Sequence, residues 1–176
     1  MNLSKTKLIK DFDNMLDAFY DCSETEILNI IKNEMQFVKI NARKDLTYIK
    51  NSEGFYIILR NNYDEISCKY KKGKFVAVYR GHASKMRERI ESHLFYNSDN
   101  TNLPNCMKVY VDEKRSVNIN IETKKTYEKR EESGCKFPSC KWMVAYVTLN
   151  KSKQGFREMF EKTFDRKYNK PEYSKR

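Results

Sequence analysis

The feature that most narrows the folding options of this chain is a change of hydrophobic period at Gly54. Residues 1–53 contain neither glycine nor proline, and their apolar residues recur at helical spacing. Leu8, Ile9, Phe12, Met15, Leu16 and Phe19 predict an amphipathic helix over 7–20. Ser23 and Glu26 form a capping box ahead of Ile27, Leu28, Ile30, Ile31 and Met35, which predicts a second helix from Glu24. At Gly54 the period falls to two. "GFYIILR" sets Phe55, Ile57 and Leu59 against Tyr56, Ile58 and Arg60, and "KFVAVYRG" follows a Lys72-Gly73 turn.

The remaining elements follow from the same reading. "MKVYV" and "SVNINI" flank the turn-like "DEKR" and predict a hairpin, with a polar surface excursion from Glu122 to Gly134 behind it. "WMVAYVTL" is a buried strand, and Ser152 opens a last helix that carries Phe156, Met159, Phe160 and Phe164 on one face. The fold class is therefore α+β: a small mixed or antiparallel sheet flanked by helices, with an N-terminal helical pair. The expected organisation is a helical extension over 1–53, then a domain over 54–176 with a hairpin insertion near 97–134.

A chain of 176 residues, 39% hydrophobic and 34% charged, has room for a core but little for two. No apolar run approaches the roughly 18 residues of a membrane span, and the first residues carry charges where a signal peptide needs an apolar block, so a cytoplasmic protein is expected. The five cysteines are odd in number and scattered, and Cys135 and Cys140 have no second pair to complete a zinc tetrahedron. They read as reduced thiols.

Formal net charge is +11, which points to a polyanionic partner. Its distribution is uneven. Residues 1–50 balance eight basic against eight acidic side chains, whereas Lys69 to Arg89 holds eight basic residues against Glu88 alone. The last 36 residues hold ten Lys or Arg against four acids, with Tyr168 and Tyr173 among them. Lys71, Lys72, Lys74, Arg80 and Lys85 are the candidate phosphate contacts.

Both histidines fall inside "VYRGHASKMRERIESHLF". On the helix after Gly81, Met86, Ile90 and Leu94 form one arc; Arg89 and His93 lie beside it, four residues apart, and Arg87, Glu88 and Glu91 point to water. One reading makes Arg89 a snorkelling side chain and His93 a satisfied boundary residue. The other aims a guanidinium fork at a phosphodiester, because it donates to two oxygens and keeps its charge.

The order Gly54-Phe55-Tyr56, Tyr79-Arg80-Gly81, Arg89, His93 and a late-helix Glu161 resembles the GIY-YIG nuclease family over roughly residues 54–174. The Arg-x-x-x-His spacing is closest to its type II restriction-enzyme branch. The resemblance implies a metal-dependent DNA endonuclease. Tyr56 would be general base, with Tyr79 lining the pocket and His93 or His82 helping Tyr56 lose its proton. Arg89 would stabilise charge on the scissile phosphate, and Glu161, with Glu158 as competitor, would hold one Mg²⁺ or Mn²⁺. A double-strand cut then implies a homodimer or two visits.

The pattern is broken in three places. Tyr56 and Tyr79 are separated by 22 intervening residues, so the first hairpin carries an insertion. Arg80 replaces the aliphatic residue of the second motif and is expected to turn toward solvent or DNA phosphate. The asparagine that follows the metal-binding glutamate is not clear: Asn169 comes early and Ser174 stands near its place. Two other classes stay open on the same residues, a non-catalytic nucleic-acid-binding protein and a nuclease for RNA or structured repair substrates.

Overall fold

The computed structural model describes residues 23–61, 68–97, 107, 109–110, 116–129, 131–133 and 140–174. The helix expected over 7–20, the "DEKR" turn, Cys22, Cys106 and Cys135 lie outside them. Helix α1 covers 23–33, and Ser23 is already helical. Then come β1 (Gln36–Ile40), a 3-10 helix (Arg43–Tyr48), β2 (Gly54–Arg60), β3 (Lys71–Lys72), β4 (Phe75–Ala83) and α2 (Met86–Leu94). After these follow β5 (Val109–Tyr110), β6 (Ser116–Asn120), β7 (Lys125–Glu128), β8 (Glu131–Ser133), β9 (Trp142–Thr148) and α3 (Gln154–Tyr168).

The α+β class is as expected, but the sheet does not begin at Gly54. Strand β1 pairs antiparallel with β9, giving a five-stranded order β1-β9-β2-β4-β3. The stretch expected to be wholly helical thus contributes an edge strand, because "QFVKI" has β-branched and aromatic residues that pack on the sheet. The polar excursion over 122–134 is also structured: β7 and β8 extend the β5–β6 hairpin into a second sheet, β5-β6-β7-β8.

Strand β2 is buried along its whole length, since helices cover both faces of the sheet. Its odd residues Phe55, Ile57 and Leu59 pack with Ile27 and Ile31 of α1 and with Phe160 and Phe164 of α3. Its even residues Tyr56 and Ile58 pack with Met86, Ile90 and Leu94 of α2. Phe156, expected on the apolar face of α3, is 43% exposed. Among the described residues no helix is long and apolar enough to cross a membrane.

A bulge in β4 decides which face each motif residue sees. Tyr79 pairs with Ile58 and Ala77 with Leu59, leaving Val78 as the extra residue. Val78 and Tyr79 therefore both face α2, and the alternation beyond them is inverted. Gly81 falls opposite Tyr56, while Arg80 opposite Ile57 and His82 opposite Phe55 turn to the α3 side. Beyond β3 the edge of β4 is covered by the returning tail. The Tyr173 amide donates to the Val78 carbonyl at 2.9 Å, and the Arg80 amide donates to Ser174 Oγ at 3.0 Å.

Candidate active site

The motif residues converge at that edge from two sides. On the α2 side, Tyr56 Oη and His93 Nε2 are 2.9 Å apart, and the Tyr79 ring lies 4.5 Å from His93 and 6.2 Å from Tyr56, centroid to centroid. Gly81 makes room for this packing. A Cβ added there would come within 2.6 Å of Tyr56 Oη and 2.8 Å of its Cζ, so only glycine lets the hydroxyl lie against β4.

The tautomer of His93 is set by a backbone donor. Met107 N–H donates to His93 Nδ1 at 2.7 Å, so Nδ1 carries no proton. Burial, and next the Arg89 charge, hold the imidazole well below its ordinary value of 6.5, so the ring is neutral and its proton sits on Nε2. His93 therefore donates to Tyr56 Oη. The help expected of His93 toward ionising Tyr56 would in this tautomer be donation: it can stabilise a phenolate but not accept the phenolic hydrogen. His93 is also fully buried rather than a boundary residue.

Tyr56 is fully buried too, and burial, reinforced by Tyr79, raises its pKa well above 10.0. Arg89 acts in the opposite direction, through its charge and a hydrogen bond to the same side chain. Burial likewise raises Tyr79, against the Arg89 charge. In this state Tyr56 is a neutral phenol with donors around its oxygen.

The α3 side is organised by charge. Arg80 Nη1 donates to Glu161 Oε2 at 2.5 Å, while Nε and Nη2 grip the two oxygens of Asp165 at 3.1 and 2.7 Å. His82 Nδ1 lies 2.9 Å from Glu161 Oε1. Arg80 is 6% exposed, so the expectation that it faces solvent or DNA is corrected. The bulge turns it inward, where two carboxylates one helical turn apart on α3 compensate its charge. Glu158, the competitor of Glu161, instead accepts a hydrogen bond from Gln154 within α3. The two sides are electrostatically joined, because the Glu161 charge raises the pKa values of both Tyr56 and Tyr79.

Glu161 offers a divalent cation one carboxylate. That suits Mg²⁺ or Mn²⁺, which keep several waters and take other oxygens from a substrate phosphate. The fit carries one condition. Oε1 already meets His82 and Oε2 meets Arg80, so a cation at Oε2 meets the charge of the Arg80 arm unless that arm leaves; Asp165 would still hold the guanidinium by two hydrogen bonds.

The basic residues are not gathered in one place. Lys85, exposed and 3.4 Å from Glu88, stands at the pocket end of β4. Lys71, Lys72 and Lys74 are exposed at the other end, the nearest of them seven residues or about 23 Å from Gly81 at strand rise. Lys72 Nζ sits 4.4 Å over the Phe37 ring. Arg87, expected to point to water, donates through Nε to the Ile49 carbonyl at 2.7 Å.

Three contributors escaped the sequence reading: Asp165, the Met107 amide and Ser174 Oγ as an acceptor for Arg80. Asp165 carried a signal, being four residues after Glu161 on one helix face. The other two are tertiary contacts without a local pattern. Compared with protein-family models, with curated proteins and with solved structures, the chain matches none.

Proposed function

We propose that this protein is a nucleic-acid phosphodiesterase, most specifically a DNA endonuclease, similar in its site to the GIY-YIG nucleases. The observation that carries the reading is that Tyr56, Tyr79 and His93 meet on the α2 face of β2 and β4, under the Arg89 charge, while His82 meets Glu161 on the α3 face of the same stretch of β4. A buried tyrosine alone needs no such company.

The chemistry follows from the contacts. Arg89, whose charge acts on Tyr56, Tyr79 and His93, neutralises charge on the phosphate as it becomes pentacoordinate. Tyr56 receives a hydrogen bond from His93 Nε2 and one from Arg89, both of which favour its ionised form against burial. Once the phenolic proton has passed to solvent, the phenolate takes the proton of the attacking water; the water oxygen bonds to phosphorus, the bond to the leaving sugar oxygen breaks, and that oxygen takes a proton from solvent. A Mg²⁺ or Mn²⁺ held by Glu161 would supply positive charge that favours both the phenolate and the developing negative charge of the phosphate. Lys85 and the distant lysines of the β3–β4 turn suit backbone phosphates on either side of the cut, which they position without reading sequence.

Conversion of supercoiled plasmid tests the reading, with Mg²⁺, Mn²⁺ or EDTA and with the Arg89→Ala variant alongside. Nicking by the wild type that the variant loses supports it, and discrete bands assign sequence specificity. A second reading, a nucleic-acid-binding protein without catalysis, draws support from the complete burial of Tyr56. Salt-sensitive DNA binding with no cleavage of DNA or RNA in any condition would establish that alternative and overturn the nuclease.

A further inference from the structure

The least expected group in the site is Arg80. It stands where the resembling motif carries an aliphatic residue, and the β4 bulge turns it into the carboxylate pair of α3. Its three donor nitrogens are divided unequally. Nε and Nη2 form a two-bond fork with Asp165, at 3.1 and 2.7 Å, and Nη1 alone reaches Glu161, at 2.5 Å. The fork fixes the guanidinium plane, and fork-to-carboxylate pairs are the most directional of the charge-assisted contacts. With the side chain only 7% exposed, the pair has little water to screen it. Glu161 therefore has a positive charge held against one oxygen by an anchor that is not Glu161 itself.

We propose that Arg80 is a built-in competitor for the divalent cation at Glu161: anchored on Asp165, its Nη1 arm occupies the carboxylate oxygen that the cation uses, and keeps cation affinity low. This rests on the reading of Glu161 as the cation-holding carboxylate of the proposed nuclease. Two positive charges at that oxygen repel strongly, so binding the cation favours release of the Nη1 contact. The arrangement makes the break local. Arg80 keeps both bonds to Asp165 when Nη1 lets go, and the buried guanidinium is never left without a counter-charge. His82 stays on the other oxygen, Oε1, at 2.9 Å and holds the carboxylate in place throughout. The Tyr173 and Ser174 contacts to Val78 and Arg80 hold the β4 backbone beneath the pair, so displacement involves the side-chain arm and not the strand.

A purely structural role for Arg80, tying α3 to β4, predicts something different: its removal would weaken folding and leave cation affinity unchanged. Direct titration of Mn²⁺ into the full chain separates the two, with free Mn²⁺ read by electron paramagnetic resonance and no nucleic acid present. Glu161→Gln identifies the component of binding that belongs to this site. In Arg80→Ile, and in Arg80→Gln, which keeps a neutral donor for the two carboxylates, that component should tighten by roughly ten- to a hundredfold, the equivalent of one charge-assisted hydrogen bond removed from the competitor. If Arg80→Ile fails to fold, Arg80→Gln decides. Folded variants that bind Mn²⁺ no tighter than the wild type overturn the proposal, as does binding that Glu161→Gln leaves intact in every variant. Plasmid cleavage is scored separately. Absence of nicking with tighter Mn²⁺ binding in the variants would sink the nuclease reading and leave the competition standing.

Discussion

The two sides of the β4 edge hold similar numbers of polar groups and solve the problem of burying them in opposite ways. On the α2 side, Tyr56, Tyr79 and His93 are neutral, and Arg89 is the charge that acts on all three. Its charge is one of the forces depressing His93 and opposing the upward shifts of Tyr56 and Tyr79. On the α3 side, Arg80 is matched by Glu161 and Asp165 within 2.7 Å. An uncompensated charge in a neutral pocket is available to an incoming anion, whereas a compensated one is already satisfied. Under the proposed function the phosphate contact therefore falls to Arg89, although Arg80 sits in the more conspicuous motif.

The sharpest way to break this comparison is to remove each arginine's function separately. Arg89→Ala should lower cleavage by at least ~10²-fold, the scale of losing one positioned electrostatic group, with little change in denaturation midpoint. Asp165→Asn should do the reverse in kind. Loss of the fork to Arg80 should cost about 1–3 kcal/mol in urea unfolding, because a buried guanidinium is left with one carboxylate. Equal effects of the two variants on both readouts would dissolve the distinction between the sides.

Gly81 links the sides, so a methyl group there tests whether they depend on each other. Gly81→Ala should destabilise by about 1–3 kcal/mol, the scale of forcing atoms into a packed site, and should push the Tyr56 hydroxyl off His93. Loss of the downfield-shifted His93 Nε2–H resonance in the variant would report that displacement.

The neutral side should also carry a pH signature. His93 is held neutral in the folded chain and takes up a proton more readily when unfolded, so its contribution to stability is present above pH 6.5 and lost as pH falls below it. The expected observation is a melting temperature that declines on acidification from pH 6.5. His93→Gln, which can still accept from Met107 and donate to Tyr56, should flatten that slope. The smallest effect is expected far from both sides. Replacing Lys71, Lys72 and Lys74 together by Gln should reduce the salt dependence of DNA binding by up to about three phosphate contacts and leave the rate constant for cleavage of bound DNA unchanged.

Much of the α2 side was legible in the sequence because it is local. Arg89 and His93 share a helix face by spacing, and Tyr56 and Tyr79 lie in runs of period two. The α3 side was legible only in part. Glu161 was placed on the right helix, but the direction of Arg80 was misread, since strand alternation cannot reveal a bulge at Val78. The tautomer of His93 was not legible for a non-local reason: the donor that fixes it is the Met107 amide, fourteen residues away. Strand β1 was missed because its five residues follow directly on a helical pattern, with no glycine or proline to mark the switch.

By itself the sequence determined the α+β class, the β2, β4, β9 and α3 elements and the set of polar residues worth asking about, since periodicity and spacing act over a few residues at a time. Only the tertiary structure decided which of those residues face one another. One extra residue in β4 rotates the side chains after it by half a period, and that rotation sends Arg80 to the carboxylates of α3.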